Sequence, residues 1–150
     1  MSKERTRKDA GWVNPKALPK GPNGRPLCRW CGTEVQPPRF TFCNDDCVHE
    51  WKLRSDPGYA RNCVFRRDRG VCATCGVKTL KDREFLATYM SLPKPPRSPW
   101  QMDHILPVVE GGGECGLDNL RTLCYICHQR VTAELAKRRA EERRAKKEQP

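Results

Sequence analysis

The sequence predicts a small α+β domain, a zinc-stabilised hairpin followed by a helix, with an N-terminal four-cysteine zinc knuckle ahead of it. Three observations carry that expectation. Eight of ten cysteines fall into two quartets of paired spacing. Only 37% of the 150 residues are hydrophobic, which leaves a thin core that needs another source of stability. Two short strand-like stretches, around 101–109 and 120–123, precede a helix-forming run from Tyr125.

The paired spacing reads as metal binding rather than disulfides. Residues 1–27 are basic and rich in Pro and Gly, unlike a signal peptide, and no run is long enough for a membrane helix. The expected setting is therefore intracellular, cytoplasmic or, in a eukaryote, nuclear, where thiols stay reduced.

The net charge is +11, unevenly spread. Residues 1–27 contribute +5 and residues 132–150 contribute +3. Four thiolates on a divalent ion would add a formal −2 per quartet, which leaves the middle of the chain near neutral. Basic arms around a metal-rich centre suit a polyanionic partner.

Along the chain, residues 1–27 read as a disordered basic arm and 28–54 as the zinc knuckle. Residues 55–140 read as the hairpin–helix domain, and 141–150 as a basic helical tail. Asn44, Asp45 and Asp46 are helix-start residues, so Cys47 falls in the first turn of a helix reaching about Leu53. Ser55-Asp56-Pro57 starts a second helix that stops at Gly70. A short helix is expected over 80–90, then a proline-rich connector from Pro93 to Pro99. Gln101 to Val109 reads as a strand that Pro107 confines to an edge or bulge, Gly111-Gly112-Gly113 as a loop, and Leu120 to Leu123 as the return strand.

Cys72, Cys75, Cys124 and Cys127 pair two C-x₂-C turns, enough thiolates for one tetrahedral zinc shell. Cys28, Cys31, Cys43 and Cys47 make the second quartet, with His49 an alternative donor or an ordinary residue on an exposed helix face. Cys63 and Cys115 are left over and read as buried small apolar residues. The glycine run either turns the chain or lets a DNA backbone approach closely.

Two of only three histidines lie within 26 residues, in the ordered set Asp103-His104-Ile105-Leu106-Pro107, Asp118-Asn119-Leu120, Leu123-Cys124 and Cys127-His128. This set resembles the HNH (His-Me finger, ββα-metal) endonuclease family. It is most similar to the branch found at the end of a eukaryotic zinc-finger-containing DNA annealing helicase. The likeness spans about Cys28 to Ala140 and leaves out the basic arm.

The resemblance implies a metal-dependent nuclease that leaves 5′-phosphate and 3′-hydroxyl ends. His104 would be the general base and Asn119 would fix its backbone and ring. Asp103 and His128 would hold one Mg²⁺ or Mn²⁺, beside two structural zinc ions. Such chemistry needs a neutral imidazole with its second ring nitrogen held, and a cation with open positions for phosphate oxygens. The expected partner is DNA, with RNA less favoured and no membrane role. Arg121, Arg130, Lys137 and Arg138 are candidate phosphate contacts. Two rival readings are a zinc-finger nucleic-acid-binding module without catalysis, and a protein-interaction adaptor. A pure binder has no need of Asp103, His104 and His128, and an adaptor leaves the basic arms and histidines unexplained.

Overall fold

The string Cys-x-x-Cys-Gly occurs twice, and both copies fold the same way. In each, the glycine N–H donates to the first cysteine's carbonyl, Gly32 to Cys28 at 3.0 Å and Gly76 to Cys72 at 2.9 Å. Each glycine has a left-handed backbone, φ 76° and 74°, which a side chain would resist. A single β-bridge closes each turn, Leu27 with Glu34 and Val71 with Lys78. The computed structural model describes residues 11–148.

Helix α1, Asp45–Ser55, starts where Asn44 accepts the Cys47 N–H at 2.8 Å, and two acids in its first turn favour that end. Helix α2, Pro57–Asp68, follows with proline at its first position. Helix α3, Arg83–Met90, is capped by Asp82 accepting from Phe85 N–H. Strands β1, Trp100–His104, and β2, Leu120–Cys124, pair antiparallel with Asp103 opposite Arg121 and His104 opposite Leu120. Helix α4, Tyr125–Glu148, leaves β2 without a loop. Among the described residues no helix is long and apolar enough to cross a membrane.

Two compact units emerge. One runs through Cys63 and takes in Leu106–Asn119; the other is Val64–Ile105 with Leu120 onward. The first has a small core of Cys28, Val35 and Cys47, flanked by Trp30, Phe42 and Cys43. The second buries Leu123, Cys124, Tyr125 and Cys127 against Cys72, Phe85 and Tyr89. Phe85 and Tyr89 meet the Tyr125 ring at 5.4 and 5.6 Å, and Phe65 of α2 stacks on Trp100 at 5.9 Å. Thr122 is fully buried, and its hydroxyl donates to Asp68 at 2.9 Å, so the hairpin is also tied to α2 by a satisfied polar contact.

Two expectations change. The strand expected over 101–109 ends at His104, because the Asn119 side chain takes both backbone groups of Leu106 that a ladder would use. Pro107 has no N–H to offer, and Val108–Glu110 turn instead as a 3₁₀ helix. The basic arm expected as disordered over 1–27 has local structure in its described part. Asn14 caps a 3₁₀ turn at Pro15–Ala17, Lys20 bridges Pro26, and Glu34 clamps Asn23 through two 2.7 Å hydrogen bonds. Residues 1–10 of that arm, and 149–150 of the expected tail, lie outside the described residues.

Leu123 has no exposed surface and sits at the centre of the second core. Leu123→Ala is expected to cost about 2–5 kcal/mol, the usual range for emptying a buried leucine site. Denaturant unfolding of zinc-supplemented protein measures it. A loss under about 1 kcal/mol would show that the hairpin–helix junction does not depend on this packing.

Candidate active site and metal centres

Both quartets share one construction, a Cys-x-x-Cys-Gly turn facing two cysteines at the start of a helix. Cys43 and Cys47 bracket the cap of α1; Cys124 ends β2 and Cys127 lies in the first turn of α4. In each quartet all four sulfurs lie within 4.8 Å of one another. Sampled separations are 3.6 Å for Cys31 to Cys43, 4.0 Å for Cys47 to Cys31 and 3.8 Å for Cys75 to Cys124. A tetrahedral zinc with bonds of about 2.3 Å sets sulfurs about 3.8 Å apart, so the donors fit that ion. These distances are far too long for disulfides, and all ten cysteines are free thiols.

The thiols are electrostatically unequal. In the first quartet a Thr33 hydrogen bond brings Cys31 down to about 6, whereas burial and the neighbouring Cys28 push Cys47 up to about 12. In the second, burial of Cys72 is outweighed by hydrogen bonds at Cys124, Cys75 and Thr74, and its thiol falls to about 7. Burial and the adjacent thiols push Cys127 up strongly. Four close thiolates repel one another, and a divalent ion at their centre removes the conflict. Thr33, whose hydroxyl lies 2.9 Å from Cys31 and 3.1 Å from Cys43, was not legible beforehand, although its place just after the Cys-x-x-Cys-Gly string was a usable signal.

His49 belongs to neither quartet. It is half-buried rather than exposed, and its Nδ1 meets the Tyr59 hydroxyl at 2.8 Å. Cys63 and Cys115 are half-buried, not buried as expected.

The second unit carries Asp103, His104 and His128, all half-buried. Strand alternation puts Asp103 on the hairpin face of Arg121 and Leu123, and His104 on that of Met102 and Thr122. His128 follows Cys127 on α4, so the thiol cluster and the first helical turn fix its backbone together. It shares the half-buried side of α4 with Val131 and Leu135. Arg121, a candidate phosphate contact, donates from Nε to Asp103 Oδ2 at 2.9 Å, an ion pair with side chains 25% and 16% exposed. Arg130, Lys137 and Arg138 are exposed on α4.

Asn119, in the first unit, works as a loop clamp. Its Oδ1 accepts the Leu106 N–H at 2.7 Å, and its Nδ2 donates to Leu106 O and Gly112 O at 3.2 and 3.0 Å. Asn119 was expected to fix the backbone and ring of His104; these three bonds go to backbone just beyond it, at Leu106 and Gly112. Gly112 is buried, and a Cβ there would lie 1.8 Å from Leu106 O. The glycine run therefore serves this turn, and its buried centre leaves no surface for a DNA backbone at Gly112.

Among the described residues charge is also unequal between the units. The described part of the first unit has eight Lys/Arg against eight acids; that of the second has seventeen against eight. The unit with Asp103, His104 and His128 is thus the one suited to a polyanion.

A model of the HNH endonuclease family matches residues 72–134. Over 81% of its length the chain is 38% identical to the mouse protein described as "DNA annealing helicase and endonuclease ZRANB3", and 36% identical to its human counterpart. The chain spans 14% of the length of these relatives. It is also 37% identical to the crystal structure of the human ZRANB3 HNH domain, with a TM-score of 0.43, across 60% of this chain and 97% of that one.

Metal-free protein is expected to take up two zinc ions per chain. The raised thiols of Cys47 and Cys127 are protonated at pH 7, so uptake must release protons and apparent affinity should climb between pH 6 and pH 8. Competition with a chromogenic chelator across that range checks both number and slope. Uptake of fewer than two ions, or a flat pH profile, would contradict the four-thiol sites.

Proposed function

Since the chain belongs to the HNH endonuclease family through residues 72–134, we propose that it is a metal-dependent endonuclease that hydrolyses DNA phosphodiester bonds. One observation carries the reading. Asp103 and His104 end β1, His128 opens α4, and β2 joins the two by pairing with β1 and running straight into α4. Family residues are thus held on one hairpin–helix, anchored by the quartet that contains Cys124 and Cys127.

In this mechanism His104 accepts the proton of the water that attacks phosphorus. The bond to the 3′ oxygen breaks and that oxygen takes a proton from solvent water, leaving a 5′-phosphate and a 3′-hydroxyl. Asp103 and His128 would hold one Mg²⁺ or Mn²⁺, which when bound stabilises the charge that develops on the phosphate and leaving oxygens. The donor set fits such a hard cation, with one carboxylate and one imidazole leaving most positions open. Arg121 orients the Asp103 carboxylate through one oxygen. Asn119 fixes the turn that begins at Leu106. Arg130, Lys137 and Arg138 are exposed on α4 and add to the positive field that draws in a polyanion.

A non-catalytic zinc module that binds nucleic acid is the second reading. The Arg121–Asp103 ion pair favours it, since a cross-strand pair of this kind also serves a purely structural hairpin.

Loss of a positioned base costs on the order of a hundred- to ten-thousandfold in rate, so His104→Ala should lose most cleavage while keeping zinc content and DNA affinity. His128→Ala should recover activity as Mg²⁺ or Mn²⁺ rises. Asn119→Ala should fall between them. Cation titrations of cleavage, with binding measured in parallel, test all three. A parent protein that binds DNA but cuts none with any cation would leave the zinc module as the function.

A further inference from the structure

The first turns of α4 complete a core, with Val131 packed against it and Leu135 half-buried. Beyond Leu135 nearly every residue of the helix is exposed. A helix so solvated gains nothing from burial there, and its sequence still places charge unevenly around the axis. At about 100° per residue, Arg139, Arg143 and Lys146 fall within about 60° of the direction of His128. Between them and His128 that side holds Val131, Thr132 and Leu135, none of them charged. The side that is apolar while the helix lies on its core thus turns basic once the helix leaves it. Glu142 lies on the same side, about 40° from the direction of His128, and offsets one of the three positive charges there.

The opposite side differs. Arg130, Lys137 and Arg144 recur every seven residues there, with Glu134 and Glu141 interleaved at i+3 and i+4. Acids and bases so mixed compensate one another, the pattern of a solvated helix face. The larger net positive charge lies on the side of His128, where three bases face one acid.

We infer that Arg139, Arg143 and Lys146 form a phosphate rail, in line with His128, that grips duplex DNA to one side of the cut. The inference rests on the nuclease reading for where the cut phosphate lies. A rise of about 1.5 Å per residue puts Arg139 about 16 Å from the level of His128, and Lys146 about 27 Å. Duplex DNA rises about 3.4 Å per base pair, so the rail reaches roughly five to eight base pairs from the cut. Arg130, Lys137 and Arg138 have no share in it; the rail residues are selected by their side of the helix. DNA should thus be held asymmetrically, with a required flank on one side only.

Adjacent arginines provide the test. Arg143→Gln and Arg144→Gln remove the same charge one residue apart, on different sides of an exposed helix, and neither touches the core. On a 20-base-pair duplex without divalent cation, Arg143→Gln should flatten the slope of log affinity against log salt by about 0.9, the share of one phosphate contact. Arg139→Gln with Arg143→Gln should flatten it by about 1.8, and Arg144→Gln should leave it unchanged. Circular dichroism confirms that the helix is kept in each variant. Equal slopes for Arg143→Gln and Arg144→Gln would overturn the rail. End-labelled duplexes cut by the parent give a second readout that needs no variant. Cuts should be missing from roughly the last five to eight base pairs at one end of each strand, and cuts running symmetrically to both ends would overturn the inference. A parent that never cuts, yet shows the Arg143-specific slope change, sinks the nuclease reading and keeps the rail. Normal cutting with identical slopes does the reverse.

Discussion

The four-thiol cluster of Cys72, Cys75, Cys124 and Cys127 is the constraint on which the second unit depends. Two of its sulfurs come from a tight turn, and two come from the point where β2 becomes α4. Without a large apolar core, that junction is where the hairpin and the helix must be locked together. The same lock decides where His128 sits, because it follows Cys127 in the chain. A zinc ion, which the donor set fits, would turn four mutually repelling thiolates into one tetrahedral anchor.

Around that lock the packing is economical. Tyr125, Phe85 and Tyr89 bring large rings to the cluster, and Phe65 stacks on Trp100, which pairs with Cys124 at the same end of the hairpin. Asp68 serves as an electrostatic rivet. It accepts from the buried Thr122 hydroxyl and from Arg67, and the Arg67 guanidinium holds its carboxyl below the ordinary range. Arg67 also donates to the Leu120 carbonyl at 2.6 Å, so α2 holds β2 by side-chain and backbone contacts alike.

The other unit repeats the device on a smaller scale, a Cys-x-x-Cys-Gly turn opposite a capped helix start. Its added feature is the Leu106–Asn119 turn, folded by one asparagine that satisfies three backbone groups. Three hydrogen bonds from one side chain allow the chain to leave β1 at once and return at Leu120 without extending the ladder. This explains how a short hairpin can end beside His104 while Ile105, Leu106, Val108 and Val109 stay largely exposed.

Much of this was legible in the sequence because local chemistry is written locally. Cysteine spacing identified both quartets, Asn44 and Asp45 marked the start of α1, and the ordered set from Asp103 to His128 pointed to the family. Other features depended on residues distant in sequence. Strand length was misread because the group that ends β1, Asn119, lies fifteen residues beyond His104. The Arg121–Asp103 ion pair was not visible in the sequence, because nothing nearby reveals that antiparallel register sets the two residues opposite each other. Counting charge along the chain did not show that, among the described residues, the second unit holds the excess of Lys and Arg over acids. The sequence alone determined which donors and caps exist, since spacing along one turn or helix is fixed by backbone geometry. Which of them meet was decided by tertiary structure, because pairing register and long-range contacts depend on the whole chain closing around its thiol clusters.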